Sequence, residues 1–408
     1  MTQAAALEAM LRGDNIFLTG PPGSGKSFVL KRFIDAATRR GRKVAVTATT
    51  GIAATLLGGN TIHAWSGIGI GESFSGNRAD RILANRTLRE RLETADCLII
   101  DEISMMNAPL LDKLNAYFKI ARSSRQAFGG LQVILAGDFM QLPPVEFKGY
   151  QDYAFVSSAW QELNLTICYI TEQHRQGRDE LNSILTAIRQ DGLTAMHYRL
   201  LTVRRTAVPV SRVTQLLTHN VAVDAVNAAQ LQRLKGRTHN YELVFRGYES
   251  AAQRLANNIL APKSLYLKTG AMVMFVANSL GKGYCNGSQG IVVGFKHSFP
   301  VVRLFDTGVN LEVGVHTWQT EPENGRRASV SQLPLKLAWA ITVHKSQGMS
   351  LERAVIDLGR SFGFNMGYVA LSRLTSYDGL YLKGLNSHAL RIDPMLNRFE
   401  EYLMAVSG

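Results

Sequence analysis

The chain has 408 residues, 46% of them hydrophobic, and carries 45 Lys and Arg against 32 Asp and Glu for a formal net charge of +13. That composition excludes a largely disordered chain, suits roughly two to four cored domains of about 100–200 residues, and points to a polyanionic partner, most commonly nucleic acid. No run of about 18 apolar residues predicts a membrane span, and the first ten residues lack the basic and apolar regions of a secretory leader.

A cytoplasmic protein, nucleoid-associated in a prokaryote, is therefore expected. The scattered cysteines Cys97, Cys168 and Cys285 include no C-x-x-C pair and give no zinc site.

The first predicted strand, Asn15–Thr19, runs into Gly20-Pro-Pro-Gly23-Ser24-Gly25-Lys26-Ser27, and a helix comes next. This fits G-x-x-x-x-G-K-[ST], whose backbone N–H groups cradle nucleotide phosphates while the helix N-terminus favours negative charge. Lys26 would reach the β- and γ-phosphates and the Ser27 hydroxyl would sit on Mg²⁺, so ATP and Mg²⁺ are the expected cofactors. Strands Lys43–Ala48, Cys97–Ile100 and Leu131–Ala136 continue the alternation of a parallel sheet with helices on both faces. Residues 67–85 break that rhythm with Gly, Ser and Asn and read as a surface insertion.

The strand Cys97–Ile100 ends in Asp101-Glu102, at the sheet edge where a phosphate loop also lies. Asp101 is expected to hold Mg²⁺, partly through water, and Glu102 to orient and deprotonate the attacking water. The next strand runs into Gly137-Asp138-Phe-Met-Gln141-Leu-Pro-Pro. Gly-Asp makes the turn and the prolines lock the backbone after it, which leaves Gln141 as a candidate sensor of the γ-phosphate. The α/β pattern returns at Arg212–Leu217 and from Leu333. Between them, residues 227–331 contain short β-type runs (Ser264–Leu267, Ala271–Ala277, Gly290–Phe295, Val301–Phe305) that suggest a small all-β barrel set inside a second α/β domain. Within it, Gly281-Lys282-Gly-Tyr284 reads as an exposed turn offering a cation and a ring to a nucleic-acid strand. Met395–Val406 reads as a packing helix.

From Asp112 to Val145, including Phe128-Gly-Gly-Leu-Gln-Val-Ile and Gly137-Asp-Phe-Met-Gln-Leu-Pro-Pro, the chain resembles the Pif-type DNA helicases of the RecD-like branch of superfamily 1. The resemblance runs over about residues 3–385. It implies an ATP-driven motor of two RecA-like domains, a small wedge inserted in the first and an SH3-like barrel in the second, moving 5′ to 3′ on single-stranded DNA and opening duplexes. The expected division is 1–165 for the first domain, with the wedge at about 67–85, then 166–226 with 332–408 for the second, and 227–331 for the barrel.

Further roles come with the resemblance. Gln3 stands where the family reads adenine. Thr50 and Gly51 in Thr49-Thr-Gly-Ile, and His63 and Trp65 in Thr61-Ile-His-Ala-Trp, match DNA-contacting motifs, as do Asn220 in Thr218-His-Asn and Thr342, His344 and Lys345 in Thr342-Val-His-Lys-Ser-Gln-Gly348. Gly348 of the last motif joins the nucleotide contacts. Arg175 in Gln173-His-Arg-Gln and Arg373 in Ala370-Leu-Ser-Arg would bring cations to the γ-phosphate from the second domain, so that cleft closure completes the site. The loop differs from the family's more frequent Ala-Gly-Thr but keeps its glycines. With nothing before Gln3 or after the last helix, a bare, monomeric motor core is expected. An RNA-directed superfamily 1 helicase shares these motifs, and a non-hydrolysing ATP-gated clamp is the non-enzymatic alternative; stimulation by DNA against RNA and phosphate release separate them.

Overall fold

A computed structural model describes residues 1–68, 86–144, 149, 152–172, 180–207, 213–277, 279, 283–284, 286–319, 328–361, 363–386 and 388–407. Most of the expected wedge, with Arg175 and Lys282, lies outside the described residues.

The chain divides into two compact units. The first comprises Met1–His197, Gly363–Ser372 and His388–Gly408. Its centre is a six-stranded, all-parallel sheet of β1 (Ile16–Thr19), β2 (Val44–Ala48), β3 (Asn60–Thr61), β4 (Cys97–Asp101), β5 (Gln132–Ala136) and β6 (Thr166–Tyr169), in the order β3-β2-β4-β5-β1-β6. Strands β1, β4 and β5 are buried along their whole length, as continuous apolar runs in a sheet covered on both faces should be. The helix Lys26–Arg39 buries Val29, Leu30, Phe33 and Ala37, one stripe at helical spacing, against Ile16, Leu18, Ile99 and Ile134 of the sheet. Each such aliphatic side chain contributes about 1.5–3 kcal/mol on burial.

The expected boundary at residue 165 falls inside this unit. Strand β6 pairs with β1 through four residues, and the helices Glu180–Arg189, Met366–Ser372 and Pro394–Val406 also belong to it, all four being chain segments expected in the second domain.

The second unit comprises Tyr198–Phe362 and Arg373–Ser387. It has a four-stranded parallel sheet in the order Ala340–Thr342, Thr214–Leu217, Ala354–Leu358, Leu380–Leu385. Inserted in its chain path is a five-stranded antiparallel sheet, Asn310–Glu312, Phe299–Leu304, Gln289–Lys296, Met272–Phe275 and Leu335–Leu337, around a core that includes Val273, Phe275, Val292, Val302 and Leu335. Two features differ from the expected all-β insert at 227–331. Its last strand is Leu335–Leu337, because Leu335 completes the core, and it includes a helix, Glu249–Asn258, which packs on a separate three-stranded sheet through Ala252 and Ala256. No helix among the described residues is long and apolar enough to cross a membrane.

Candidate nucleotide and nucleic-acid sites

Because the first sheet is parallel, β4, β5 and β1 deliver three motifs to one edge. The phosphate loop leaves β1. Gly20 and Gly25 are required there: both have left-handed φ (+140° and +89°), and a Cβ would lie 2.5 Å from the Ile170 carbonyl oxygen in the first case and 2.2 Å from Gln3 Nε2 in the second. The next helix starts at Lys26 without a side-chain cap, leaving its first N–H groups to an anion. The Ser24 hydroxyl is buried in the loop and finds no hydrogen-bond partner among the described residues, as fits a loop shaped to receive further acceptor oxygens. Lys26 Nζ donates to the carbonyls of Gly20 (2.7 Å) and Pro21 (3.2 Å), folded onto its own loop. Burial lowers its pKa, against the raising effect of Asp138, Glu102 and Asp101. Ser27 is exposed at the helix start.

Gln3 is brought to this loop. Thr2 caps the helix Gln3–Arg12, and Gln3 Nε2 donates to the Ser24 carbonyl at 2.9 Å from a 9% exposed side chain.

Asp101 ends β4. Its Oδ1 accepts the Glu102 N–H at 2.9 Å, while burial and then the Glu102 charge push its pKa up to about 7. A buried carboxylate held beside a second one is a donor set for a divalent cation, and Mg²⁺ needs only one or two carboxylates with water. Glu102 adopts a left-handed φ of 53°, unusual for a side chain of this size, and its carbonyl accepts from Thr49 Oγ1 at 2.9 Å. Thr49 N–H in turn donates to the Asp101 carbonyl, so the end of β2 supports the acid pair. The role of Thr49 was not visible from the Thr-Thr-Gly motif alone.

Gln141, 5% exposed, comes after β5, and its carbonyl accepts from Asn365 Nδ2 at 3.0 Å. Asp138 is more than a turn residue: it is fully buried, its Oδ1 accepts the Met140 N–H, and Arg189 Nη1 donates to both its oxygens. Burial would raise its pKa, but the Arg189 guanidinium and Lys26 hold it below the ordinary carboxylate range.

The expected nucleic-acid contacts divide. In the first unit Thr50 caps the helix Gly51–Leu56 by accepting the Ala53 N–H, and His63 is half-buried, its pKa lowered by burial. Trp65 is a correction: it is 7% exposed with its ring stacked on Phe118 at 5.9 Å, so that face is spent in the core and is closed to a base. In the second unit Asn220, His344 and Lys345 are exposed. Thr342 is a further correction as a direct contact, since it is 2% exposed and its hydroxyl accepts the Lys345 N–H, shaping the turn that presents His344 and Lys345. Lys336, absent from the motif reading, is half-buried and lies in the field of Lys345; burial and that charge push it down to about 8. Gly348 has a left-handed φ of 76°. Arg373 is 5% exposed, with Nη1 3.4 Å from the Met349 carbonyl. Tyr284, expected on an exposed turn, is 6% exposed and stacks on Phe275 at 4.1 Å in the core of the antiparallel sheet. Among the described residues no three His, Cys, Asp or Glu side chains form a metal cluster.

Residues 2–198 match the PIF1-like helicase family, and residues 252–295 match the 2B domain of DNA helicase Pif1. The ATP-dependent DNA helicase Pif1 of Psychrobacter sp. is 38% identical over 97% of this chain and 69% of its own length. The human ATP-dependent DNA helicase PIF1 is 39% identical over 97% of this chain, which spans 62% of that protein. Among solved structures, Pif1 helicase from Candida albicans has a TM-score of 0.86 at 32% identity, covering 98% of both chains. Bacteroides sp. Pif1 in complex with ADP-AlF4 has a TM-score of 0.82 at 30% identity, covering 99% of this chain and 96% of its own. Bacteroides Pif1 bound to ssDNA has a TM-score of 0.71 at 29% identity, covering 99% of this chain and 96% of its own.

Proposed function

The chain belongs to the Pif1-like helicase family, and on that footing we propose that it is an ATP-dependent DNA helicase that moves 5′ to 3′ on single-stranded DNA and opens the duplex ahead of it. The observation that carries this reading is the shared sheet edge at which β1, β5 and β4 present Lys26, Gln141 and the Asp101-Glu102 pair. Lys26 and the uncapped helix start hold the β- and γ-phosphates, and Gln3 lies at the loop to read the base. Ser27 and Asp101 hold Mg²⁺, which supplies charge neutralisation at the phosphates. Glu102 takes a proton from the attacking water, and Gln141 registers the γ-phosphate. Arg175 and Arg373 supply cations to the developing charge on the phosphoryl oxygens.

The two parallel sheets are read as RecA-like motor domains and the five-stranded antiparallel sheet as the SH3-like insertion. Thr50, Gly51, His63, Asn220, His344 and Lys345 grip the DNA backbone without reading sequence, as a motor requires. The test is unwinding of partial duplexes with a 5′ or a 3′ single-stranded tail, with and without ATP. Opening of only the 5′-tailed substrate, and only with ATP, is expected. Opening without ATP overturns the motor, and a preference for the 3′ tail overturns the polarity.

A further inference from the structure

Beneath the sensor turn, four side chains far apart in sequence meet around the guanidinium of a fifth. Arg189 closes the helix Glu180–Arg189, and its Nη1 donates to Asp138 Oδ1 (3.0 Å), Asp138 Oδ2 (2.8 Å) and the Tyr368 hydroxyl oxygen (2.7 Å). Its Nε donates to Glu400 Oε1 at 2.7 Å, and the Tyr169 hydroxyl donates to the same oxygen. Asp138 is 0% exposed, Tyr368 1%, Tyr169 6%, Glu400 7% and Arg189 8%. The cluster therefore ties the end of β6, the sensor turn and three helices together within the first unit.

Net stability is a poor reason for such a cluster, because burying charges costs several kcal/mol per ion and apolar replacements of buried ion pairs are often as stable. A fixed geometry is what it does supply. Asp138 accepts the Met140 N–H, the Asp138 carbonyl accepts the Gln141 N–H at 2.9 Å, and Asn365, one residue before the helix of Tyr368, donates to the Gln141 carbonyl. The bonds from Asp138 and Asn365 to the backbone at Gln141 lead back to Arg189 and to the helix it holds.

We propose that Arg189 is a positioning residue for ATP turnover, locking the Asp138–Gln141 turn to the helices Met366–Ser372 and Pro394–Val406 so that Gln141 meets the γ-phosphate in one geometry. The proposal rests on the reading of Gln141 as the γ-phosphate sensor. Arg189 is buried and bonded to Asp138, and it acts through the turn. Glu400 is the second anion on that cation, so a neutral amide there keeps the hydrogen bonds, whereas loss of the guanidinium takes the shared donor from both Asp138 and Glu400.

The experiment measures kcat and KM for single-stranded-DNA-stimulated ATP hydrolysis, affinity for fluorescent ADP, and thermal melting, in the wild type, Arg189→Lys, Arg189→Met, Glu400→Gln, Gln141→Ala and Gln141→Ala/Arg189→Lys. Arg189→Met is expected to lose about tenfold or more in kcat, and Arg189→Lys about threefold or more, with KM and ADP affinity within about twofold of wild type. Glu400→Gln is expected to stay within about threefold of wild type. The double variant is expected to be no slower than Gln141→Ala, because the two residues act through one contact. Should Arg189→Met fail to fold, Arg189→Lys and the double variant decide. Wild-type kcat in folded Arg189→Lys, equal losses of kcat and ADP affinity, or additive losses in the double variant overturn the proposal. Normal kcat in Gln141→Ala overturns instead the sensor reading, whereas a slow Gln141→Ala beside a normal Arg189→Lys overturns the positioning role alone.

Discussion

At the scale of single residues, Glu102 combines a strained backbone with a half-buried side chain. Its left-handed φ of 53° is held by the Thr49 hydroxyl on its carbonyl and by the Asp101 carboxylate on its N–H. The side chain is thereby directed by backbone contacts that a change of carboxylate to amide leaves intact. Glu102→Gln should bind ATP and DNA at wild-type affinity while its turnover falls by about two orders of magnitude or more, as loss of a general base requires. Phosphate release and ATP-analogue binding measured side by side check this, and a parallel fall in affinity would give Glu102 another role. Lys336 offers a test of opposite character. Its folded pKa, about 8, lies below the ordinary lysine value of roughly 10.4, so the penalty of burying its charge is fully present below about pH 8. Between about pH 8 and 10 the unfolded chain binds the extra proton, and stability from this group rises with pH. Lys336→Met should therefore raise the melting temperature more at pH 7 than at pH 10. Motif reading named Lys26, Asp101, Glu102 and Gln141 from their neighbours in sequence, and the parallel strands β1, β4 and β5 bring all four to one sheet edge. It misjudged Trp65 and Tyr284, whose rings pack on Phe118 and Phe275 outside their motifs, and Thr342, whose buried hydroxyl is taken by the Lys345 N–H within its own motif.

At the scale of elements, the segment Phe128-Gly-Gly has a structural task. Phe128, Gly129 and Gly130 all take left-handed φ (48°, 65° and 78°), and the Phe128 N–H is held by Asn115 Oδ1 at 2.8 Å. The turn brings the Gly129 carbonyl to Arg122 Nε, while Arg122 Nη1 donates to the carbonyls of Leu92, Glu93 and Ala95. One guanidinium so closes the C-terminal end of the helix Arg86–Thr94, the first described helix after the expected wedge. A lysine cannot serve carbonyls on both sides at once. Arg122→Lys should cost about 1–3 kcal/mol through acceptors left without donors, read as a lower melting temperature. Unwinding should fall further than ATP hydrolysis; equal losses would remove any special link between this helix and strand separation. Strands were readable as elements because apolar runs end in Gly, Asp or Pro, and the four expected in the first domain lie within one or two residues of those observed. Strand β6 was not assigned to its sheet, since Thr166–Tyr169 is short and its partner β1 lies some 150 residues earlier.

At the scale of the whole molecule, the +13 charge predicts how DNA is held. Each phosphate neutralised by Lys or Arg releases counterions, giving a slope in log affinity against log salt of about −0.7 per contact on a single strand. A titration from low to high salt should fall linearly on those axes, and Lys345→Ala should make the slope shallower by roughly one contact. An affinity indifferent to salt would mean that stacking dominates instead.

The discontinuous first unit also has a consequence for the birth of the protein. All six strands of its sheet, the phosphate loop and Arg189 lie within the first 197 residues, but Tyr368 and Glu400 come 179 and 211 residues after Arg189. At about 5–20 residues per second, a nascent chain waits on the order of 10–40 s between making Arg189 and making its last anion. During that interval Arg189 lacks Tyr368 and Glu400, and the Asp138–Gln141 turn lacks Asn365. Ribosome-bound chains of increasing length, treated briefly with protease, should protect the first unit only once Pro394–Val406 has emerged from the exit tunnel. Protection already complete at about residue 250 would show that the sheet settles without it. On this timetable the cluster around Arg189 acquires its last anion only after the whole chain of the second unit has been made.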